Sequence, residues 1–313
     1  MRHNSHLAET AGVAYVMSVM TKSRSFLSRI LPARFRSTAK IVPLLRLNGA
    51  IGMGSPVRPG LSLATINPLL EKAFATKNAA AVAISINSPG GSPVQSTLIH
   101  DRIRRLAEKH EVEVYTFCED VAASGGYMLA ISGDEIYADS SSIIGSIGVV
   151  AAGFGFVDAI KKLGIERRVH TAGKNKAILD AFQPEKKQDI DRLKELQLDI
   201  HQGFIELVKR RRNGKLPQTE GDLFTGAFWT APKARELGLI DALGSVHSVL
   251  EEKFGEKVKI RLISKPGGFS LRRFLAPAQA DLTRGLDVNL TAGLADDLVR
   301  AVEIRALWQR FGL

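Results

Sequence analysis

The fold is decided by the stretch Val121-Ala122-Ala123-Ser124-Gly125-Gly126-Tyr127-Met128-Leu129-Ala130, in which a serine stands among small residues ahead of an apolar run. A strand-like run, 112–117, precedes it. This order predicts a strand, a tight turn that carries Ser124, and a helix. The free backbone N–H groups at the start of such a helix favour anions, including the oxyanion formed when a serine attacks a carbonyl. Two interpretations remain open: Ser124 is a nucleophile, or the small residues only serve the packing of a helix start.

Working outward from this stretch, strand-like and helix-like patterns alternate along the chain. Strand-like runs lie at 41–47, 81–86, 112–117, 135–138, 167–171 and 258–263. Helical periodicity is found at 66–74, 94–109, 157–163, 186–212, 231–237 and 246–254. Alternation of this kind predicts the α/β class, with a mixed, largely parallel sheet flanked by helices.

The positive charge of the chain is concentrated at its beginning. The 313 residues carry a net charge of +11, and residues 1–40 hold seven Lys and Arg against a single acid, Glu9. This composition predicts a basic leader that is disordered or interfacial, with peripheral contact to an anionic membrane; a processed or anchored segment and a wrongly assigned start residue are the open alternatives. The apolar run 11–20 is too short to span a bilayer, which needs about 20 residues, so no transmembrane helix is expected. With aromatic residues at 6% and no basic–aromatic interleaving, nucleic-acid binding is not expected.

The residues that usually hold metals and cofactors are sparse. Cys118 is the single cysteine, which excludes an intramolecular disulfide and a cysteine-based metal cluster, and we interpret it as a buried structural thiol. The seven histidines show no paired-ligand spacing, and the glycine-rich loop 48–54 matches no nucleotide fingerprint. We therefore predict neither a metal nor a cofactor.

Three loops follow predicted strands and are candidates for the site, because such loops line the binding crevice of α/β folds. They are the loop 87–93, the turn at Ser124 and Gly125, and the loop 171–176, which carries Lys174 and Lys176. A serine nucleophile needs a base, and the histidines are poorly placed to serve. A lysine can act instead when burial keeps its amine neutral.

Short blocks with glycine, serine and lysine recur along the chain: Asn-Ser-Pro-Gly-Gly at 87–91, Ala-Ala-Ser-Gly-Gly-Tyr at 122–127, Ile-Gly-Ser-Ile-Gly-Val at 144–149 and Gly-Lys-Asn-Lys at 173–176. They are followed by Phe-Trp-Thr at 228–230 and Ala-Arg-Glu-Leu-Gly-Leu-Ile-Asp at 234–241. In this order the blocks resemble the S49 family of serine peptidases, the signal peptide peptidase A and SohB type. The resemblance covers about residues 41–250. It implies a ClpP/crotonase-like fold and divides the chain into a leader (1–40), a peptidase domain (41–255), and a final part with a strand, a Pro/Gly-rich linker and an amphipathic helix (256–313).

The resemblance also implies a Ser/Lys dyad. Ser124 matches the family nucleophile, Lys176 the general base and Ser146 the serine that orients the lysine amine, while Gly91 and Gly125 match the oxyanion-hole amides. Lys174 falls on a variable position and is expected to be exposed.

The function implied by the resemblance is that of a serine endopeptidase acting on peptides or unfolded protein, such as membrane-released signal peptide remnants. We expect a bacterial homo-oligomer that is cytoplasmic or peripherally associated with the inner membrane. Two alternatives share the fold: a crotonase-like acyl-CoA enzyme, and a non-catalytic membrane-associated scaffold.

Overall fold

The computed structural model describes residues 39–54, 60–219, 221–264 and 301–313. Its strands are β1 Ile41–Asn48, β2 Val82–Ser88, β3 Val114–Ala123, β4 Glu135–Ala138, β5 Ile143–Gly145, β6 Phe228–Thr230, β7 Ala242–Leu243 and β8 Lys259–Leu262. Its helices are α1 Leu63–Phe74, α2 Pro93–His110, α3 Gly125–Ala130, α4 Val157–Lys162, α5 Lys187–Arg211, α6 Ala231–Glu236 and α7 Val246–Phe254, and residues 301–309 form a further helix, called here the C-terminal helix. Nearly all of the predicted leader and the predicted Pro/Gly-rich linker lie outside the described residues. So does the first part of the predicted C-terminal amphipathic helix, with Leu294 and Leu298 of its predicted apolar face.

The strands form one sheet in the order β6-β5-β3-β2-β1-β8, with β4 and then β7 beside the first half of β3. Its strand pairs are parallel apart from β5 with β6. All seven residues of β2 are buried, which explains its continuous apolar run, since parallel strands are covered on both faces. One core cluster lies against α1, α2 and α3, and another on the opposite face includes Val249 and Leu250 of α7. The predicted α/β class is confirmed.

The long strand β3 changes neighbours along its length, and this change builds the site. Its first half pairs with β4, whereas Val121, Ala122 and Ala123 pair with Ile143, Ile144 and Gly145 of β5. Where β3 changes from one neighbour to the other, the Asn87 side chain donates a hydrogen bond to the Asp120 carboxylate at 2.6 Å and accepts one from the Val121 amide at 3.3 Å. As a result, β3 and β5 end side by side.

Most of the predicted elements are present, but one is wrong. The segment 167–171 is not a strand, and its residues are exposed. Arg167 instead forms an ion pair with Asp180 across a loop. Extended backbone is stable as a strand only when a neighbour satisfies its hydrogen bonds, and in the part of the chain described none lies beside this segment.

A long segment between the β5 and β6 strands stands away from the core. No residue from 148 to 203 is buried, and we call this segment the arm. It contains α4 and most of α5, whose apolar side chains Leu196, Leu198 and Ile200 are 43%, 66% and 44% exposed. The apolar face of α5 reaches the core only near its end, at Phe204 and Leu207. An amphipathic face without a partner indicates a surface that another molecule covers.

Candidate active site

Ser124 stands at a sharp bend between β3 and α3. Its backbone has φ 53° and ψ −122°, in a region that side-chain-bearing residues rarely adopt. Its amide donates to the Gly145 carbonyl at 2.8 Å, and its carbonyl accepts from the Tyr127 amide at 2.9 Å. The hydroxyl does not cap the helix and makes no hydrogen bond within the described residues. A strand–turn–helix bend that exposes a serine hydroxyl is the arrangement of a nucleophile elbow.

The two glycines after Ser124 allow α3 to approach its neighbours closely. A Cβ on Gly125 would lie 2.4 Å from the Ser96 hydroxyl, and one on Gly126 would lie 2.3 Å from the Ser88 carbonyl oxygen. Any side chain would push the helix start away from the sheet edge. The glycines therefore fix the position of the amides beside the serine.

The loop after β2 is pressed against Ser124 from the other side. A Cβ on Gly90 would lie 2.9 Å from the Ser124 Cβ, and Gly91 has φ 140° with its Cβ position 2.1 Å from the Ile51 carbonyl oxygen. Two backbone bonds hold the loop: the Ile51 amide donates to Gly90, and the Ser92 amide donates to Ile51, both at 2.8 Å. The Gly91 and Gly125 amides make no hydrogen bond within the described residues. Two free N–H groups beside a serine hydroxyl are suited to hold an oxyanion.

Ser146 lies next to Ser124 at the end of the neighbouring strand. It follows Gly145, which pairs with Ala123, and its own φ is 51°. The residue is 4% exposed and its amide donates to the Ala227 carbonyl at 2.7 Å. No hydrogen bond of its hydroxyl is found among the described residues. The two serines therefore offer unpaired hydroxyls from adjacent strand ends.

Among the described residues, Lys176 makes no hydrogen bond with Ser124 or Ser146, and it does not line the cleft in front of Ser124. It lies on the arm, is exposed, and its amine makes no hydrogen bond or ion pair in the described residues. Lys174 is exposed as well, as predicted. Sequence reasoning grouped Lys176 with Ser124, Ser146, Gly91 and Gly125, and the structure brings together only the last four.

The cleft in front of Ser124 has a volume of about 590 Å³. Its floor is formed by Gly91, Ser124 and Gly125, and one wall is the start of the arm, from Gly148 to Phe154. The rest of the lining is mostly apolar: Met53, Pro89, Pro93, Met128, Phe204, Val302, Ala306 and Leu307, with Glu303 and Arg310 as the titratable residues among those described. Sequence reasoning missed the five residues from 302 to 310, because an amphipathic pattern shows that a helix has an apolar face but not where that face packs.

Other chemical groups of the chain do not form a second centre in the described part. Burial raises the pKa of the Cys118 thiol to about 12, which fits the predicted structural role. Groups of three or more potential metal ligands are absent from the residues that the structure describes. Among these same residues, no helix combines the length and apolar character needed to cross a bilayer.

The family models match the part of the chain that carries this site. The model described as peptidase family S49 matches residues 106–259, and the model described as Clp protease matches residues 36–144. Together they include all of the residues discussed above from Gly91 to Lys176.

Curated relatives match along much of the chain. The "Na(+)/H(+) antiporter NhaA" of Brucella abortus (strain 2308) is 55% identical over 288 residues, covering 92% of this chain and 39% of that protein. "Serine protease SPPA, chloroplastic" of Arabidopsis thaliana is 29% identical, covering 85% of this chain and 40% of that protein. "Putative protease slr0021" of Synechocystis sp. is 30% identical, covering 67% of this chain and 72% of that protein. The chain thus spans about two fifths of the length of the first two relatives.

Among solved structures, the chain is similar to a mutant of the "1510-N membrane-bound stomatin-specific protease", with a TM-score of 0.46 and 16% identity, covering 73% of this chain and 100% of that one. The fold assignment does not depend on this likeness, because the Clp protease model and the parallel sheet already support it. The S49 model spans the strand ends, both serines and the loop of Lys176, in agreement with the blocks identified in the sequence. The chain belongs to peptidase family S49.

Proposed function

We propose that the protein is a serine endopeptidase in which Ser124 attacks the substrate carbonyl. The observation that carries the proposal is that an unpaired Ser124 hydroxyl lines the same cleft as Gly91 and Gly125, whose amides make no hydrogen bond among the described residues. As the hydroxyl oxygen bonds to the carbonyl carbon, the negative charge passes to the carbonyl oxygen, and the two amides stabilise it. One such donor contributes roughly 3 kcal/mol to the transition state.

The proposed substrate is an extended, apolar peptide segment. The lining residues Met53, Pro93, Val149 and Val150 present apolar surface to the cleft. An extended segment would add as a strand beside the loop of Gly91 and the chain that follows Ser146. Peptides or unfolded protein rich in apolar residues, such as signal peptide remnants, fit this lining.

We further propose that Lys176 is the general base and that a neighbouring copy of the chain supplies it. Two observations support this: Lys176 lies on an arm without buried residues, and the arm exposes apolar side chains that a homo-oligomer would cover. Burial in the contact would keep the amine neutral. The amine would then take the Ser124 proton, pass it to the leaving amine, and activate water to hydrolyse the acyl-enzyme, while the Ser146 hydroxyl orients it.

Peripheral contact with the inner membrane of a bacterium is proposed as the setting of this activity. The support is the basic composition of residues 1–40 and the apolar character of the cleft. The antiporter name of the Brucella relative agrees with a membrane setting, and it applies to that whole protein.

A fluorophosphonate probe tests the proposal on the full-length chain. The wild type is expected to be labelled covalently and to cleave an apolar peptide, and Ser124→Ala is expected to lose both properties. Ser140→Ala is the matched control, because Ser140 is exposed and lies outside the cleft. Equal labelling of Ser124→Ala and wild type would contradict the proposal, and absence of labelling in all three would favour the non-catalytic scaffold.

A further inference from the structure

The C-terminal helix and the residues behind it dock beside the candidate nucleophile. Phe311 is 6% exposed and forms a small buried cluster with Val121 and Ala123, at the end of the strand that leads into Ser124. Its ring also meets the Phe228 ring edge-on, with the centroids 5.0 Å apart. Trp308 packs against the same cluster. Phe311 therefore acts as the anchor of the whole segment 301–313.

From this anchor the C-terminal helix runs along the cleft. Val302, Glu303, Ala306, Leu307 and Arg310 line the same space as Ser124 and Gly91. The space that remains, about 590 Å³, is typical of pockets that enclose small molecules, roughly 300–1,000 Å³. A peptidase must instead admit a chain that enters and leaves the cleft on both sides.

The docking of this segment depends on apolar contacts. The backbone hydrogen bonds at its end, such as that from the Phe311 amide to Trp308, stay within the segment. Among the described residues, neither a hydrogen bond nor an ion pair joins Glu303, Arg305 or Arg310 to the rest of the chain. Val302 remains 50% exposed although it faces the cleft. A segment whose one buried side chain is Phe311 can be released, since loss of that burial shifts the docking equilibrium by roughly tenfold to a hundredfold.

We propose that the C-terminal helix is an intramolecular lid on the substrate cleft, anchored by Phe311, which an incoming apolar peptide must displace. The inference deepens the proposed function and depends on it for the identity of the incoming ligand. When the peptide displaces the lid, its apolar side chains replace those of the C-terminal helix in the cleft. Peptides with few apolar residues would therefore leave the lid in place. Substrate selectivity would then depend partly on how well a peptide competes with the C-terminal helix for the cleft.

The test measures peptide binding without cleavage. In the full-length Ser124→Ala background, a fluorescein-labelled leucine-rich peptide is titrated and its anisotropy recorded. Phe311→Ala is expected to bind the peptide roughly fivefold or more tightly than the parent, because the competing lid is weakened. Gln309→Ala, an exposed position of the same segment, is expected to bind like the parent. The inference would be overturned if Phe311→Ala bound the peptide no more tightly than the Ser124→Ala parent, or if neither protein bound it.

A second variant distinguishes release of the lid from damage to β3, the strand on which Phe311 packs. Leu307→Asp changes the cleft side of the helix and leaves the cluster of Val121 and Ala123 intact. It is expected to strengthen peptide binding as well, and unchanged binding by Leu307→Asp would overturn the lid. Cleavage by the chain with native Ser124 is assayed separately, so tighter binding without any cleavage would contradict the proposed function while supporting the lid.

Discussion

The Ser96 side chain occupies the space that a side chain on Gly125 would need. We expect Gly125→Ala to lower kcat/KM about a hundredfold, because its Cβ would meet the Ser96 hydroxyl at 2.4 Å and move the amide that holds the oxyanion. Adding Ser96→Ala removes that hydroxyl and is expected to restore part of the activity, whereas Ser96→Ala alone should have a small effect. Peptidase assays of the three variants give the double-mutant cycle. Failure of the second change to rescue the first would show that the clash is not the cause.

His100 makes the stability of the protein sensitive to acid. It is 3% exposed, and its Nε2 has no hydrogen-bond partner among the described residues. Burial lowers the pKa of His100, outweighing the opposite effect of the Asp101 carboxylate, with which Nδ1 pairs at 2.9 Å. Below the unfolded pKa of about 6.5 the unfolded chain therefore binds more protons than the folded one, and stability falls as the pH falls.

Denaturant unfolding at pH 7.5 and pH 5.5 measures this effect. The wild type is expected to lose up to about 1.4 kcal/mol of unfolding free energy per pH unit from this residue, and His100→Gln is expected to remove that part of the slope. His110→Gln, at an exposed histidine of the same helix, is the matched control, and comparing its slope with that of His100→Gln isolates the effect of the buried residue. Identical slopes in wild type and His100→Gln would contradict the assignment.

At the scale of single elements, α5 carries the strongest prediction. Leu196 and Ile200 lie on its unpartnered part, and we propose that they contact a second copy. Replacing both by Asp is expected to shift the protein to monomers in light scattering and to abolish peptide cleavage, with the circular dichroism spectrum retained. Gln202→Asp adds a charge to an exposed polar position of the same helix and should remain assembled and active. A monomeric double variant that keeps full activity would show that the site does not need the neighbour.

The elements also show what sequence patterns can and cannot predict. The sequence predicts the helix 186–212 to within a residue at each end, because its apolar spacing is regular. The same spacing cannot tell whether the apolar face is buried in its own chain, and in the arm it is not. The strand predicted at 167–171 is wrong for a related reason: a local residue pattern describes only a preference for extended backbone, while a strand also requires a neighbouring strand to pair with.

At the scale of the whole molecule, the proposed site has two parts: one is formed within a single chain, and the other requires a residue from a second copy. The loop of Gly91 and the turn at Ser124 and Gly125 could be grouped from the sequence because loops at the ends of parallel strands meet by topology, whereas Ser146 was named only from the resemblance. Lys176 could be named only from the resemblance, and its partner depends on how copies pack. The docking position of the C-terminal helix could not be predicted from the sequence either. The contacts of the chain end with β3 and β6 join residues far apart in the chain, and such contacts produce no periodic pattern of apolar residues.

The proposed division of the dyad between copies can be tested by mixing two inactive variants. Ser124→Ala retains Lys176, and Lys176→Ala retains Ser124, so each is expected to be inactive alone. After joint refolding or subunit exchange in equal amounts, about a quarter of the sites should combine a native serine with a native lysine from the neighbouring copy, and activity should recover to that extent. Lys174→Ala, at the other exposed lysine of the loop, is the control and should be active without mixing. If the mixture stays inactive although hetero-oligomers are detected by mass spectrometry, the serine and the lysine must act within one chain, and the arm would have to fold back onto Ser124.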